Sequence, residues 1–329
     1  MTSPLSTATF HSPFLPVRPR PSLANGGLSQ ERFAGVSFAG WKEVNLLDCP
    51  PFLPSGNVPA RHQHEPSGKG GDEGVLEKGA QDFINLVFSG SGIDISAYRS
   101  SPLARRLSAC LRALHVKSIP EAHVVLERNP EKKRVAIDSL LIGTTEFFRD
   151  PEVFQQIREK VLPSFTGKAP RVWSVACSDG SELYSMALLL EHAGLLNDRN
   201  LLGADCRTSA IIHARQGIYP TVALRSIPEE FHSRFGKESS SRIRIDDAIR
   251  HSVRWTVADV LKPQEHSQWD VIFCRNFSIY LDSAPGASLW ESLEKSLTPG
   301  GFLIVGKTEK PRVRTLTRVG DSIYQKSLS

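Results

Sequence analysis

The chain has 329 residues, of which 40% are hydrophobic and 23% are charged, and its formal net charge is +5. This length is enough for one large domain or two modest domains with a substantial core. No run of about 18 apolar residues occurs, so the sequence excludes a transmembrane helix and membrane insertion. The mildly basic balance, 40 Lys and Arg against 35 Asp and Glu, gives little support to a nucleic-acid partner.

Five cysteines are widely spaced and form no Cys-x-x-Cys pair. This spacing argues against a disulfide framework and against a structural zinc site, so we expect no metal. We therefore expect a reducing, cytoplasmic location. No feature of the sequence requires an oligomer, and we expect a monomer.

Residues 1–78 differ in composition from the rest of the chain. They contain ten of the 22 prolines and a glycine-rich, charged stretch at 68–74. Neither a helical nor a strand periodicity is present, which predicts a disordered extension. The first thirty residues lack acidic side chains, as transit peptides do, but the prolines oppose the amphipathic helix of such peptides.

Residues 79–150 predict a small all-α domain. Leucines recur at spacings of three and four, at positions 103, 107, 111 and 114, as on one face of a helix. Pro120 predicts the first turn of another helix, with Ser118 near its cap. The segment 140–148 closes this predicted unit.

Residues 151–329 alternate short apolar runs with helical stretches, which predicts an α/β domain built on a mostly parallel sheet. Helices are expected to begin near Glu182, Thr208 and Ala284. We expect a small antiparallel insertion over about 236–258, formed by 242–245 and 253–257. The main strands are predicted at 172–177, 201–204, 271–274 and 302–305, with a last strand at 322–326 beside 302–305.

The strongest local signal is a predicted strand that runs into the small-residue turn Ser178, Asp179 and Gly180 and then into a helix. Such a turn brings backbone N–H groups and a helix N-terminus close to a ligand. Asp205 ends the next predicted strand, where an acidic side chain can bind ribose hydroxyls. It can equally cap the helix that begins at Thr208, and the pattern alone leaves both interpretations open.

Three common nucleotide and hydrolase motifs do not occur. The chain has no Gly-x-x-x-x-Gly-Lys loop, no full Gly-x-Gly-x-x-Gly fingerprint and no Gly-x-Ser-x-Gly elbow. The pattern therefore predicts a nucleotide-type pocket without a diphosphate grip, which favours S-adenosylmethionine over a dinucleotide.

Two further motifs identify a family resemblance. Thr-Glu-Phe-Phe-Arg at 145–149 precedes the predicted α/β domain, and Cys-Arg-Asn-Phe at 274–277 lies at the end of the predicted strand 271–274. With the segments 171–185, 210–219 and 297–306, they make the chain resemble the chemotaxis receptor methyltransferases, the CheR family. The likeness extends over about 81–326.

The resemblance implies a small all-α domain followed by a class I S-adenosylmethionine-dependent methyltransferase sheet, which is Rossmann-like, with a small antiparallel β-subdomain. It implies methyl transfer from S-adenosylmethionine to a glutamate carboxylate of a chemoreceptor, which leaves S-adenosylhomocysteine as product. A glutamate is already ionised at neutral pH, with a reference pKa of about 4.3, so no strong general base is required.

Site residues follow from the motif matches. Arg149, Tyr280 and Arg275 are candidates to hold the acceptor carboxylate, and Arg149 is also matched to a cofactor contact. Asp205 is matched to the ribose ligand, and Asp259 with Val260 to a pair near the adenine. The remaining cofactor-binding candidates are Thr145, Gly180, Ser181, Glu182, Asn276 and Phe277.

The sequence departs from the family pattern at three positions. Ser181 stands where the family has a glutamate, Gly143 where it has an asparagine, and Lys307 where it has a histidine. Asp179 or Glu182 are possible replacements for the missing glutamate. These departures motivate an alternative, a degenerate member that binds cofactor or receptor as a regulatory module. Methylation of another carboxylate or of a small molecule is a third hypothesis, because acceptor specificity lies in surface loops.

The predicted helical domain carries a basic face formed by Arg105, Arg106, Arg112 and Lys117. A solvated helix face is the default interpretation of such a run. Receptor methylation regions are acidic, so the resemblance favours docking of glutamate-rich cytoplasmic receptor helices on this face.

Overall fold

The computed structural model describes residues 78–141, 143–197, 200–262 and 268–328. Apart from its last residue, the predicted disordered extension over 1–78 lies outside these residues. Along the described part of the chain, no helix is both long enough and apolar enough to cross a bilayer.

Four helices form the helical unit, which we define as residues 78–141. Ser118 caps the third of them, since its Oγ accepts a hydrogen bond from the Glu121 N–H at 3.4 Å, as the sequence predicted. Apolar stripes on all four helices are buried between them, including Phe83, Leu126 and Leu140. The helices are α1 (Lys78–Phe88), α2 (Ser100–Ala113), α3 (Ile119–Arg128) and α4 (Lys133–Leu140).

A seven-stranded sheet forms the centre of the remainder, in the order β6-β2-β1-β7-β8-β10-β9. The first five of these strands are parallel, and β10 runs antiparallel to both β8 and β9. The predicted parallel sheet and the predicted last strand are therefore confirmed. The strands are β1 (Val172–Val175), β2 (Leu201–Asp205), β6 (Val253–Val257), β7 (Trp269–Cys274), β8 (Leu297–Val305), β9 (Leu316–Arg318) and β10 (Ile323–Lys326).

The expected pairing of 253–257 within the small antiparallel insertion is wrong. This segment is β6, which pairs in parallel with β2 at the edge of the main sheet. The Trp255 ring lies directly over Gly203 of β2, where a Cβ would collide with it. The small sheet instead has the order β3-β5-β4, built from β3 (Ile218–Pro220), β4 (Phe235–Lys237) and β5 (Arg242–Ile245).

Helices cover both faces of the main sheet. One face packs against α5, α6, α7 and α8, with Leu183 and Ile211 among its buried side chains. The other face packs against α9 and the helical unit, so that Leu103 and Leu289 belong to one apolar cluster with strand residues such as Ile272. The helices are α5 (Pro151–Gln156), α6 (Ser181–His192), α7 (Thr208–Gln216), α8 (Asp247–His251) and α9 (Ser283–Ser296).

An ion pair joins the beginnings of β1 and β7, at the end of the sheet that carries their amino termini. The Asp270 carboxylate accepts hydrogen bonds from Arg171 N at 2.9 Å, Nε at 3.2 Å and Nη2 at 3.3 Å. Burial by itself would raise the pKa of Asp270, but the hydrogen bonds and charge of Arg171 outweigh it and hold this pKa below its usual value.

We expect Asp270→Asn to lower the free energy of unfolding by about 1–2 kcal/mol at pH 7. Because the folded-state pKa is depressed, the ionised carboxylate stabilises the fold above its unfolded-state pKa of about 3.9. This stabilisation is lost as the pH falls through the folded-state value. Urea unfolding at several pH values should show wild type and variant converging below pH ~3.9, with the exposed Asp82→Asn as control. An unchanged difference in acid would contradict this.

Candidate active site

The candidate site is a pocket at the carboxyl ends of β1, β2 and β7. In a sheet of this order the chain switches direction between β1 and β7, which is where α/β proteins bind ligands. Its volume, including solvent at the mouth, is about 970 Å³, which accommodates a nucleoside-sized molecule. The helical unit supplies one wall, formed by Tyr98, Arg99, Pro102, Leu103, Leu140 and Leu141.

Three residues of the pocket lining have left-handed backbone conformations although none is glycine. The φ angles are +51° at Ala176, +53° at Ser178 and +57° at Asn276. This conformation costs roughly 1–2 kcal/mol for a residue with a Cβ. Such conformations persist only where surrounding contacts fix them, and they cluster at functional sites. Here they turn the chain sharply after β1 and β7.

Asp205 lies in the pocket wall at the end of β2, where the sequence predicted it. Its Oδ2 accepts a hydrogen bond from Ser178 N at 2.9 Å, and its Oδ1 accepts one from Arg207 N at 2.9 Å. The Arg207 guanidinium forms an ion pair with it at 3.1 Å. Its bond to Arg207 N forms a tight turn before α7, whose first turn has no side-chain cap. Its role toward ribose stays a prediction.

The turn between β1 and α6 contributes less to the lining than the sequence predicted. Gly180 packs against the Trp255 ring, where a Cβ would collide, and the Asp179 carboxylate accepts from Ser181 N and Oγ at 3.0 and 2.6 Å. Of this turn and the start of α6, Ser178 and Glu182 line the pocket. Of the two possible replacements for the missing glutamate, the structure therefore places Glu182 in the pocket.

The pair predicted near the adenine does not line the pocket either. Asp259 accepts hydrogen bonds from Leu261 N at 3.0 Å and Asp94 N at 3.4 Å, and Val260 is buried. Thr145, Asn276 and Phe277, in contrast, lie in the lining together with Asp205. Four predicted cofactor contacts are absent from the described pocket lining and stay predictions: Gly180, Ser181, Asp259 and Val260.

A cluster of buried charges forms the floor around Arg275, whose side chain is 2% exposed. Arg275 Nη2 pairs with Asp150 Oδ2 at 2.5 Å, and Nη1 pairs with Glu182 Oε2 at 3.3 Å. Ser174 Oγ donates to the other oxygen of Glu182 at 3.0 Å. Burial raises the pKa of Glu182, and the charge of Arg275 opposes that rise. Arg275 already forms ion pairs with two carboxylates, so the carboxylate of an acceptor substrate would compete with them.

Arg149 and Tyr280 lie in the same lining and are less engaged. Arg149 Nη1 donates to the Thr144 carbonyl at 3.0 Å, and within the described residues no carboxylate lies within ion-pair distance of its guanidinium. Tyr280 is half-buried, and its backbone carbonyl accepts from Arg99 N at 2.9 Å. These two groups are therefore better placed than Arg275 to bind an anion.

Glu309 is a residue that the sequence reasoning missed as part of the site. It is 4% exposed, and its carboxylate accepts from Asn276 N (2.6 Å), Phe277 N (3.0 Å), Ser278 N (2.8 Å), Ser278 Oγ (2.8 Å) and Gly306 N (2.7 Å). These bonds hold the loop after β7 in place. The sequence feature that could have indicated Glu309 is its position, since it is an acidic residue only four positions after the end of β8.

Tyr98, Arg99 and Arg207 were also missed. Burial raises the pKa of Tyr98 well above its usual value, and its ring lies edge-on to Phe277 at 6.3 Å. Tyr98 and Arg99 precede α2, and nothing in their local sequence indicates that they lie beside β7. Only the packing of the helical unit on the sheet brings them to the pocket.

The residues present fit an adenosine-containing cofactor. The pocket combines the apolar side chains Leu103, Leu140 and Phe277 with the carboxylate of Asp205. Asn276 Oδ1 is buried and has no partner among the described residues, which leaves a hydrogen-bond acceptor in the lining. A buried acceptor without a partner is costly, so a bound donor group would satisfy it.

Comparison with protein families agrees with this geometry. Residues 143–321 match the family model described as "CheR methyltransferase, SAM binding domain", and residues 79–141 match "CheR methyltransferase, all-alpha domain". The chain belongs to the CheR methyltransferase family. The predicted resemblance, the class I methyltransferase fold and the cofactor S-adenosylmethionine are thereby confirmed. The two models meet at 141–143, and our division of the chain at 150 stays a prediction.

Curated relatives cover the same part of the chain. Chemotaxis protein methyltransferase 1 of Vibrio cholerae is 29% identical over 247 residues, which span 71% of this chain and 90% of that protein. Chemotaxis protein methyltransferase 2 of the same organism is 33% identical over 190 residues, 54% of this chain and 66% of that protein. The chemotaxis protein methyltransferase of Borreliella burgdorferi is 26% identical over 261 residues, 74% and 92% of the two chains.

We expect Glu309→Ala to lower the free energy of unfolding by about 3 kcal/mol, because it leaves several buried N–H groups without an acceptor. The loop after β7 should then lose its conformation, and S-adenosylhomocysteine should bind at least tenfold more weakly by calorimetry. The exposed Glu291→Ala on α9 is the control. Unchanged affinity in a destabilised Glu309→Ala protein would show that Glu309 does not position the pocket.

Proposed function

We propose that this protein is a cytoplasmic protein-glutamate O-methyltransferase that uses S-adenosylmethionine to methylate glutamate side chains of chemoreceptors. The observation that carries this proposal is the pocket itself. It combines groups suited to a nucleoside, Asp205 and the amide oxygen of Asn276, with the side chains of Arg149 and Tyr280, and among the described residues no carboxylate pairs with Arg149. The names of the relatives support the chemoreceptor substrate.

Bound S-adenosylmethionine would supply a methyl group made electrophilic by the adjacent sulfonium. The side chains proposed to hold it are Asp205, Asn276, Thr145 and Glu182. The apolar wall from the helical unit, with Leu103 and the other side chains named above, would exclude water from them. Glu182 is a carboxylate in the pocket lining that also pairs with Arg275, and its negative charge would attract the cationic sulfonium of the cofactor.

Arg149 and Tyr280 are proposed to orient the acceptor carboxylate. Because that carboxylate is already ionised at neutral pH, their task is alignment rather than proton removal. Alignment alone can supply a large part of a rate acceleration when the reacting groups are held in place. Arg275 would contribute by fixing Asp150 and the Arg149 carbonyl, to which Nη2 donates at 3.0 Å.

The receptor is proposed to dock on the basic face of the helical unit. Arg105, Arg112 and Lys117 are exposed, whereas Arg106 is half-buried and donates to the Ser139 carbonyl at 3.0 Å. Arg99 stands immediately before α2, which carries Arg105, Arg106 and Arg112, and it lines the pocket. An acidic, glutamate-rich receptor helix on this face would therefore present its side chains beside the pocket, one receptor helix to each monomer.

The cofactor site is tested by calorimetric titration with S-adenosylhomocysteine. We expect binding in the micromolar range, weakened at least tenfold in Asp205→Asn, because that change removes the charge that organises Ser178 and Arg207. Asp82→Asn, on the exposed face of α1, is the matched control. No binding by folded wild-type protein at millimolar ligand would overturn the proposed function.

The reaction is tested with a glutamate-rich chemoreceptor fragment and S-adenosylmethionine labelled in the methyl group. We expect base-labile label on the receptor, and we expect Tyr280→Phe to lower kcat at least tenfold while S-adenosylhomocysteine affinity stays within twofold. Label absent from the receptor despite normal cofactor binding would favour the non-catalytic module. Equal loss of affinity and kcat would place Tyr280 in the cofactor site instead.

A further inference from the structure

Arg207 stands two residues after β2, immediately before α7, and its side chain is 12% exposed. Its guanidinium lies in the pocket lining, directly against Gly143. A Cβ at position 143 would overlap Nη1, Nη2 and Cζ of Arg207 at once. The guanidinium can therefore occupy this place only because residue 143 has no side chain.

The hydrogen bonds of Arg207 leave one of its nitrogens available. Nε donates to Asp205 Oδ1 at 3.1 Å, and Nη2 donates to Asp205 Oδ2 and Ser178 Oγ at 3.3 and 3.1 Å. Ser178 Oγ in turn donates to the Gly143 carbonyl at 2.6 Å. Nη1 has no hydrogen-bond partner among the described residues, although guanidinium groups carry two donors there.

Asp205, in contrast, already accepts four hydrogen bonds. A carboxylate offers about four acceptor sites. Oδ1 accepts from N and Nε of Arg207, and Oδ2 accepts from Ser178 N and Arg207 Nη2. A sugar hydroxyl that reaches this wall therefore finds an unoccupied donor of Arg207 beside a carboxylate that is already engaged.

We propose that Arg207 is a cofactor-binding residue at the ribose end of the pocket, where Nη1 donates to a sugar hydroxyl oxygen. Asp205, besides its proposed contact with the cofactor, holds Arg207 in place through their ion pair, and Gly143 provides the space that the guanidinium requires. The inference rests on the proposed function, since the ligand is the nucleoside part of S-adenosylmethionine. It also explains why a glycine at position 143 can replace the family's asparagine, because Arg207 would supply the polar contact on this wall.

The test is a double-mutant cycle with Gly143→Ala, Arg207→Ala and the double variant. S-adenosylhomocysteine affinity is measured by calorimetry, and stability by the thermal unfolding midpoint. We expect each single change to weaken binding about tenfold. We expect the double variant to bind within twofold of Arg207→Ala and to unfold at a higher temperature than Gly143→Ala, since removal of the guanidinium removes the collision.

Two further variants sharpen the cycle. Arg207→Lys keeps the charge but not the planar fork, so it should not restore affinity. Gly79→Ala adds a methyl group at a position with nothing within 4 Å and should leave the affinity unchanged without lowering the unfolding midpoint.

Wild-type affinity in Arg207→Ala would overturn the inference, and tighter binding would show that Arg207 masks Asp205. The inference would also be overturned if the losses of affinity in Gly143→Ala and Arg207→Ala were additive in the double variant. Wild-type protein that binds S-adenosylhomocysteine but does not methylate the receptor would contradict the proposed function alone. Wild-type protein that fails to bind would contradict both.

Discussion

The candidate site depends on one buried carboxylate. Glu309 gathers the backbone N–H groups of residues 276, 277, 278 and 306, which belong to the loops that follow β7 and β8. Without these bonds, the loop after β7 would have no partner for its N–H groups, and the left-handed backbone of Asn276 would be a cost without compensation. The two loops are also in close contact, since a Cβ at Gly306 would collide with Glu309 and Asn276. The acceptor oxygen of Asn276 and the phenol of Tyr280 thus belong to a loop that Glu309 holds through backbone N–H groups.

The helical unit holds the same loop from the other side. Arg99 N donates to the Tyr280 carbonyl and Asp282 N donates to the Ala97 carbonyl, at 2.9 and 3.0 Å, and Arg99 Nε donates to the Leu281 carbonyl at 2.8 Å. The wall of the pocket that carries Tyr98 is therefore bonded to the wall that carries Tyr280. If a receptor helix docks on the helical unit as proposed, the same unit that binds it also fixes the loop that carries Tyr280.

Periodicity and turn chemistry were sufficient to predict most of the helices and most of the strands, because those signals are local, but they did not predict the short helices α5 and α8. The pairing of 253–257 was wrong because its place beside β2 depends on the space above Gly203, which no local pattern reveals. The residues of the site likewise fall into those that local signals predict and those that only the fold brings together. Residues at strand ends, such as Asp205 and Asn276, could be predicted from motif and position. The charge partners could not, since Arg275 meets Asp150 and Glu182 from positions 125 and 93 residues away in the chain.

The three departures from the family pattern are each integrated into a bonded arrangement. The guanidinium of Arg207 fills the space above Gly143, Ser181 Oγ donates to Asp179, and Lys307 pairs with Asp150 and Glu152. Lys307 also adds a cation beside Asp150, the carboxylate that pairs with Arg275. A site released from its function would be expected to accumulate buried charges without partners, which are strongly destabilising. At these three positions the opposite holds, because the groups found there are bonded or packed against neighbours, so the departures are accommodated by the fold around the pocket.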